Sequence, residues 1–260
     1  MTLFGSANMH GIGRNEELLG RVVRNECERL VIATKFGACA ALTGPFSESM
    51  AAPTMSARRA RASLRRLSLE VIDLSCRHRV DPMASIEVSV GAMAELMGFG
   101  KVRDIGLSEA SSGSIRRAYA VHPITALQRE YSRWGRDPAP ELGRGFLTGR
   151  EDLKSDDFRR QAPRIQGENF SRHLRLVDHV KQRASNEGCC AAQRVLWVLP
   201  QVEDIVVIPG TKQIRYLSEN IVALDASLTA HDLAVLDQAF VPTAVAGTRY
   251  PELGMLTVNG

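Results

Sequence analysis

The chain has 260 residues, 44% of them hydrophobic and 24% charged, with a formal net charge of +4. That is globular composition, and it excludes long-range disorder and low-complexity architectures. No apolar run approaches the ~18–20 residues of a membrane span, and the start MTLFGSANMHGIG lacks the basic end and apolar stretch of a signal peptide.

A short strand is expected at 2–5, and NEELLGRVVRNECE then places Leu18, Leu19, Val22 and Val23 at helical spacing. The apolar run LVIATKFG at 30–37 reads as a strand, followed by a Gly/Ala/Ser loop. The helix SARRARASLRRL carries Arg58, Arg59, Arg61, Arg65 and Arg66. Leu64, Leu67 and Leu69 lie among them, so a solvated amphipathic face is expected rather than a nucleic-acid patch. Aromatics at 5% are also too few for a base-stacking platform.

Next come a strand in VIDLSC at 71–76 and a helix with Ile86, Val90, Met93 and Met97 on one face. VRDIGLS at 102–108 is a strand, SSGSIRRAYA a helix, and ITALQREYS at 124–132 a strand with a loop. Further on, Phe170, Leu174, Val177 and Val180 mark a helix and IVVIPG at 205–210 a strand. A last helix, TAHDLAVLDQAF, opens on a capping box formed by Thr229 and Asp232.

Strands alternating with helices at this pitch make βαβ units and a parallel sheet. No linker divides the chain, so one domain over 1–260 is expected. Lys35, His78, Ser108 and Gln128 each fall at the carboxyl end of a strand, where a β/α barrel keeps its chemistry. The candidate glycine fingerprint, Gly11-Ile12-Gly13, lacks a third glycine and precedes the wrong element for a doubly wound dinucleotide fold. The expected fold is therefore α/β, a TIM-type β/α barrel. It is incomplete, with strands at about 2–5, 30–35, 71–76, 102–108, 124–129 and 205–208. Missing strands leave unpaired edges, which favour self-association.

Cys27, Cys39, Cys76, Cys189 and Cys190 are odd in number and irregularly spaced. Neither a metal site nor a disulfide framework is expected, and a reducing cytoplasm fits. Of 33 basic residues five are Lys and the rest Arg. Arg suits phosphate recognition, although a bias across the whole chain reads first as base composition of the gene.

VIATKFG, IDLSCRHRVDP, GKVRDIGLSEAS, HPITALQREYS, LGRGFLTGR, RIQGENF and DIVVIPGTKQIRYLSEN resemble, in order, segments of the aldo-keto reductase family. The resemblance runs from about residue 3 to RYPELGM. It implies a barrel that binds NADPH without a Rossmann domain and reduces small aldehydes or ketones, with no nucleic-acid or membrane partner.

By that resemblance Lys35 and His78 are the family's catalytic Lys and His. Ser108, Glu109 and Gln128 would contact the carboxamide edge of the nicotinamide, and Gly143 and Arg144 the pyrophosphate. Thr211, Lys212 and Arg215 would meet the adenosine 2′-phosphate, and Glu219 and Asn220 the adenine. PGTK opens a helix, and a helix N-terminus with cations nearby suits a phosphate.

Two catalytic positions depart from the family. Its pattern Asp-Thr-Ala-x-x-Tyr-Gly stands here as Gly5-Ser6-Ala7-Asn8-Met9-His10-Gly11, so Gly5 replaces the Asp and His10 the acid Tyr. An imidazolium is a competent acid near neutral pH, but nearby cations push it toward its neutral form. Activity is then expected to be weak and favoured at lower pH. Against the family, an N-terminal segment and a helix with a strand after Glu141 also look deleted, and the loop carrying Trp134 looks rebuilt. Three readings follow: a slow NADPH-dependent carbonyl reductase, an inactive NADPH-binding barrel serving as sensor or interaction module, and a decayed coding sequence.

Overall fold

The computed structural model describes residues 2–24, 26–37, 53–81, 84–129, 155, 157–186, 204–223, 229, 231, 234, 246–248, 250–255 and 258. The chain divides into two compact units, Met1–Gln128 with Leu253–Gly260, and Arg129–Glu252.

The first unit is built on five strands: β1 (Leu3–Gly5), β2 (Val31–Phe36), β3 (Ile72–Arg77), β4 (Val102–Ser108) and β5 (Ala126–Gln128). All neighbours are parallel and lie side by side in chain order. Between them run α1 (Arg14–Val23), α2 (Pro53–Leu67), α3 (Ile86–Gly98) and α4 (Ser112–Val121). Repeated βαβ units in consecutive order make half of a β/α barrel, as the TIM-type expectation requires.

Local chemistry starts the helices where the sequence suggests. The Ser111 hydroxyl accepts from Ser114 N at 3.1 Å at the head of α4, and Ser85 caps α3 through Val88 N at 3.4 Å. Ile86, Val90, Met93 and Leu96 of α3 are buried against Ile72, Val102, Ile105 and Leu107 of β3 and β4. Leu67 and Ile32 complete the same core, and each fully buried aliphatic side chain contributes about 1.5–3 kcal/mol.

Helix α1 departs from its apolar pattern. Leu18 and Val22 are 51% and 62% exposed, while Glu16, Gly20 and Val23 are buried with Leu19 beside them. Gly20 explains the rotation. A Cβ there would lie 2.6 Å from the Leu67 carbonyl oxygen and 2.7 Å from that of Arg66, so only glycine lets α1 rest on the end of α2. Helix α2 turns Arg58, Arg61 and Arg65 to solvent as expected, but Arg66 turns toward the buried Glu16.

The second unit carries 3₁₀ turns at Phe158–Gln161 and Pro163–Ile165, then α5 (Gly167–Asn186) and α6 (Ile214–Val222). His173 of α5 is fully buried. Its Nδ1 lies 2.8 Å from Arg164 O, and its Nε2 accepts from Ala246 N at 2.9 Å. A backbone N–H can only donate, so Nε2 is bare and the ring is neutral with its proton on Nδ1. Burial lowers the pKa of His173 in the same sense, opposed by the hydrogen bond to Arg164 O. A final turn, α7 (Glu252–Met255), begins at the last residue of this unit and continues into the chain segment that belongs to the first.

One expected strand is corrected. Residues 204–212 form no strand, and Val206 and Ile208 are 69% and 36% exposed. Strand propensity in IVVI is realised only against a neighbouring strand, and none of the described residues pairs with it. Five strands are thus described where six were expected. The helix beginning at Thr229 lies largely outside the described residues. None of the described helices is long and apolar enough to cross a membrane.

Candidate active site

Alternation along β2 sends consecutive side chains to opposite faces. Thr34 points to the helix layer, donating to Glu16 Oε1 at 2.6 Å. Lys35 points to the other face, where its Nζ donates to Ser6 O at 3.0 Å. Lys35 is only 6% exposed.

Beyond β1 the chain keeps its hold on β2. Ser6 N donates to Ala33 O and Asn8 N to Lys35 O, both at 2.9 Å, while the Ser6 hydroxyl donates to Asn15 Oδ1 at 2.6 Å. These bonds carry the loop to His10, whose amide turns back onto Ala7 O at 3.0 Å. Gly11, Ile12 and Gly13 follow with φ of 59°, 55° and 88°. A left-handed β-branched residue is an outlier costing about 1–3 kcal/mol, and Ile12 is 94% exposed with no packing to offset it.

His78 follows β3, its amide donating to Phe36 O at 2.8 Å. Its ring meets His10 edge-on, with centroids 6.3 Å apart and planes at 90°. Burial first, then Lys35, Arg79, His10 and Arg77, lower the His78 pKa to about 2, so the ring is neutral. Its buried Nδ1 finds no hydrogen-bond partner among the described residues. His10 is exposed at the rim, yet the protein against its inner side and then Lys35 lower its pKa, with Glu16 opposing.

Burial likewise lowers the pKa of Lys35, with Cys76 opposing and Arg79 adding to the shift. Cys76 stands opposite Lys35 in the ladder, and burial pushes its thiol up to about 11. An uncharged thiol at neutral pH offers a lysine little relief. Arg77 and Arg79 crowd the same strand end. Arg77 donates from Nε to Arg79 O at 3.1 Å, meets Asp81 at 3.4 Å and covers the Phe36 ring at 5.9 Å. Arg79 Nη1 donates to His78 O at 3.0 Å. Gly37 has φ of 75° and packs directly under the Arg77 guanidinium, where a side chain would collide.

Strands β4 and β5 bring Ser108 opposite Gln128, and Glu109 N donates to Gln128 O at 3.1 Å. Ser108 and Glu109 are both 5% exposed, and Glu109 is left-handed at φ 58°. The expected Lys35, His78, Ser108, Glu109 and Gln128 therefore share the carboxyl end of one sheet, with His10 beside His78.

The expected phosphate and adenine residues belong to the second unit. There Thr211 Oγ1 accepts from Gln213 N at 3.1 Å, and Lys212 is exposed. Arg215, 81% exposed, reaches Glu219 Oε1 at 2.9 Å, and Asn220 is buried at 7%. Two residues expected to hold different parts of a nucleotide are thus paired with each other. Gly143, Arg144 and Trp134 lie outside the described residues. Among the described residues no cluster of three His, Cys, Asp or Glu could hold a metal ion.

Sequence reasoning missed the Glu16–Arg66–Thr34 linkage and the buried Arg77 and Arg79. The signal for the arginines was present: three successive basic residues, Arg77-His78-Arg79, close a strand that carries no other base.

A parallel half-barrel with a lysine and a histidine at its strand ends defines a β/α-barrel enzyme scaffold. Residues 1–142 and 138–240 match the aldo/keto reductase family model, and the chain belongs to that family. It is 38% identical over 272 residues to the probable aldo-keto reductase 1 of Glycine max, covering 96% of this chain and 78% of that protein. It is 36% identical over 285 residues to the aldo-keto reductase str7 of Strobilurus tenacellus, covering 99% and 82%. A glycerol dehydrogenase of Gluconobacter oxydans superposes with a TM-score of 0.79 at 25% identity, covering 93% of this chain and 82% of that one. An aldo/keto reductase of Klebsiella pneumoniae, solved with NADP and acetate, shares the fold at a TM-score of 0.70 and 23% identity, covering 96% and 84%.

Proposed function

We propose that this chain is a cytoplasmic NADPH-dependent reductase of small aldehydes or ketones, one barrel domain over 1–260, slowed at its proton-transfer step. The observation that carries the reading is His10 standing edge-on to His78 at the strand end that holds Lys35. In this reading His10 gives a proton to the carbonyl oxygen, His78 orients that oxygen, and Lys35 stabilises the charge that develops on it.

The donor set fits the cofactor. A hydroxyl and an amide at register-paired positions, Ser108 and Gln128, suit a carboxamide, with Glu109 beside them. Thr211, Lys212 and Arg215 would hold a phosphate near the start of α6, and Glu219 and Asn220 the adenine; Gly143 and Arg144, outside the described residues, are proposed for the pyrophosphate from the family resemblance alone. Bound there, NADPH supplies the hydride.

A second reading, a barrel that binds NADPH without turnover and serves as sensor or interaction module, is favoured by one observation. Both imidazoles are driven toward their neutral forms, and a neutral imidazole is a poor acid. NADPH fluorescence titration alongside oxidation assays with small aldehydes and quinones separates the two. Binding with turnover supports the reductase, binding without turnover the second reading, and no binding overturns both. Self-association through the outer strands β1 and β5 belongs to the same proposal, and sedimentation would detect it.

A further inference from the structure

The lysine at the end of β2 has surroundings that its part in carbonyl reduction does not require. Lys35 is 6% exposed, and its hydrogen bond goes to a neutral acceptor, the Ser6 carbonyl. No carboxylate among the described residues bonds to it. Its neighbours are the Cys76 thiol across the ladder, the rings of His78 and His10, and the Arg79 and Arg77 guanidiniums after them. Each is neutral or cationic at physiological pH, while the Glu16 carboxylate, which acts on His10, lies on the other face of β2 and is taken up by Thr34 and Arg66.

A structural lysine on a barrel strand balances its charge against an acid. A nucleophilic lysine is made the opposite way, by desolvation and by cations placed nearby. Burial and Arg79 both act on Lys35 in that direction. The cluster also reaches the surface, because His10 at its rim is exposed while His78 behind it is buried.

We propose that Lys35 is a nucleophile that forms an imine with small carbonyl compounds, an activity distinct from hydride transfer and independent of any nicotinamide. The free ε-amine attacks the carbonyl carbon, forming a C–N bond as the C=O π pair moves to oxygen. A proton passes from nitrogen to that oxygen, with the exposed His10 ring at the rim of the cluster as carrier. The nitrogen lone pair then closes C=N as the C–O bond breaks, the remaining N–H proton leaves with the hydroxyl as water, and hydrolysis returns lysine and carbonyl compound. Atoms and electrons balance with no oxidant or reductant.

The test uses the whole native protein without NADPH. Butanal and sodium cyanoborohydride, which reduces an iminium to a stable secondary amine, are added at pH 7, and peptide mass spectrometry follows each of the five lysines. A lowered pKa leaves more of the amine free at pH 7, so Lys35 is expected to be labelled several-fold faster than the exposed Lys101 and Lys212. Repeating the reaction in denaturant should abolish that advantage. Labelling of Lys35 no faster than Lys101, or an advantage that survives unfolding, overturns the proposal. Because no cofactor is present, either result leaves the reductase reading standing or falling on its own assay.

Discussion

Arg66 of α2 grips Glu16 of α1 through Nη2 at 2.6 Å and Nε at 2.7 Å, and the carboxylate it grips is fully buried. The other Glu16 oxygen takes the Thr34 hydroxyl at 2.6 Å, so one acid ties two helices to β2 directly behind Lys35. Removing Arg66 would strand a buried charge. Arg66→Met is expected to cost about 3 kcal/mol, measured by chemical denaturation. Glu16→Gln combined with Arg66→Met should cost clearly less than the sum of the two single changes. Additive losses would mean the pair is not coupled.

A helix contact through a missing side chain makes a different prediction. At Gly20 the atoms a Cβ would meet are backbone oxygens, which cannot swing aside as a flexible side chain can. Gly20→Ala is therefore expected to destabilise by about 1–3 kcal/mol, although alanine is the better helix former. A thermal melt unchanged or raised by Gly20→Ala would show that α1 does not rest on α2 in this way.

These two contacts also show what the sequence made legible. The alternation of elements, the parallel sheet and the loading of its strand ends were all readable, because hydrophobic period and strand-end chemistry are local. The face of α1 was not. Leu18, Leu19, Val22 and Val23 invite burial by composition, and only the close approach at Gly20 and the partner of Glu16 select another stripe. IVVI at 205–208 misled for a related reason, since β propensity is local while the partner strand is not. At the site, Lys35 and His78 do stand at strand ends as their positions suggested, but the neutral state of His78 follows from its burial first, then from Lys35 and the neighbouring arginines, and no spacing rule gave that burial.

The pH dependence of turnover follows from the rim histidine. Burial and Lys35 lower the His10 pKa, so the acidic imidazolium is populated only as pH falls below the ordinary value of about 6.5. Carbonyl reduction should rise from pH 8 toward pH 6, read from NADPH oxidation at saturating cofactor. A Gly5→Asp, His10→Tyr variant should raise kcat by about 10²-fold, the usual contribution of a matched general acid. A flat profile, or one peaking at alkaline pH, rules out His10 as the acid.

Stability runs the other way with pH. His78 titrates near 6.5 when unfolded and at about 2 when folded, so below pH 6.5 the unfolded chain binds the extra proton. Its depressed pKa subtracts stability as pH falls through that window, by about 1.4 kcal/mol per pH unit. Melts of the protein at pH 7.5, 6.5 and 5.5 should show Tm falling, and His78→Gln should flatten the lower part of the curve.

Cofactor choice can be tested in the second unit. Lys212 is exposed at the start of α6, whereas Arg215 already holds Glu219. Lys212→Ala should weaken NADPH binding about tenfold and leave NADH binding nearly unchanged, measured by fluorescence titration. Equal losses for both nucleotides would place Lys212 away from the 2′-phosphate.

The order of the sheet has a consequence for how the molecule is made. Each described strand pairs with the one just before or after it in the chain, and the last of them ends at Gln128. Every ladder bond of the half-barrel therefore joins residues already synthesised before the second half leaves the ribosome. Pairings between neighbouring elements need not wait for the far end of the chain, and units of this kind can fold in order of synthesis. The strand ends bearing Lys35 and His78 can take up their places while the residues expected to hold the nucleotide's phosphates are still being added.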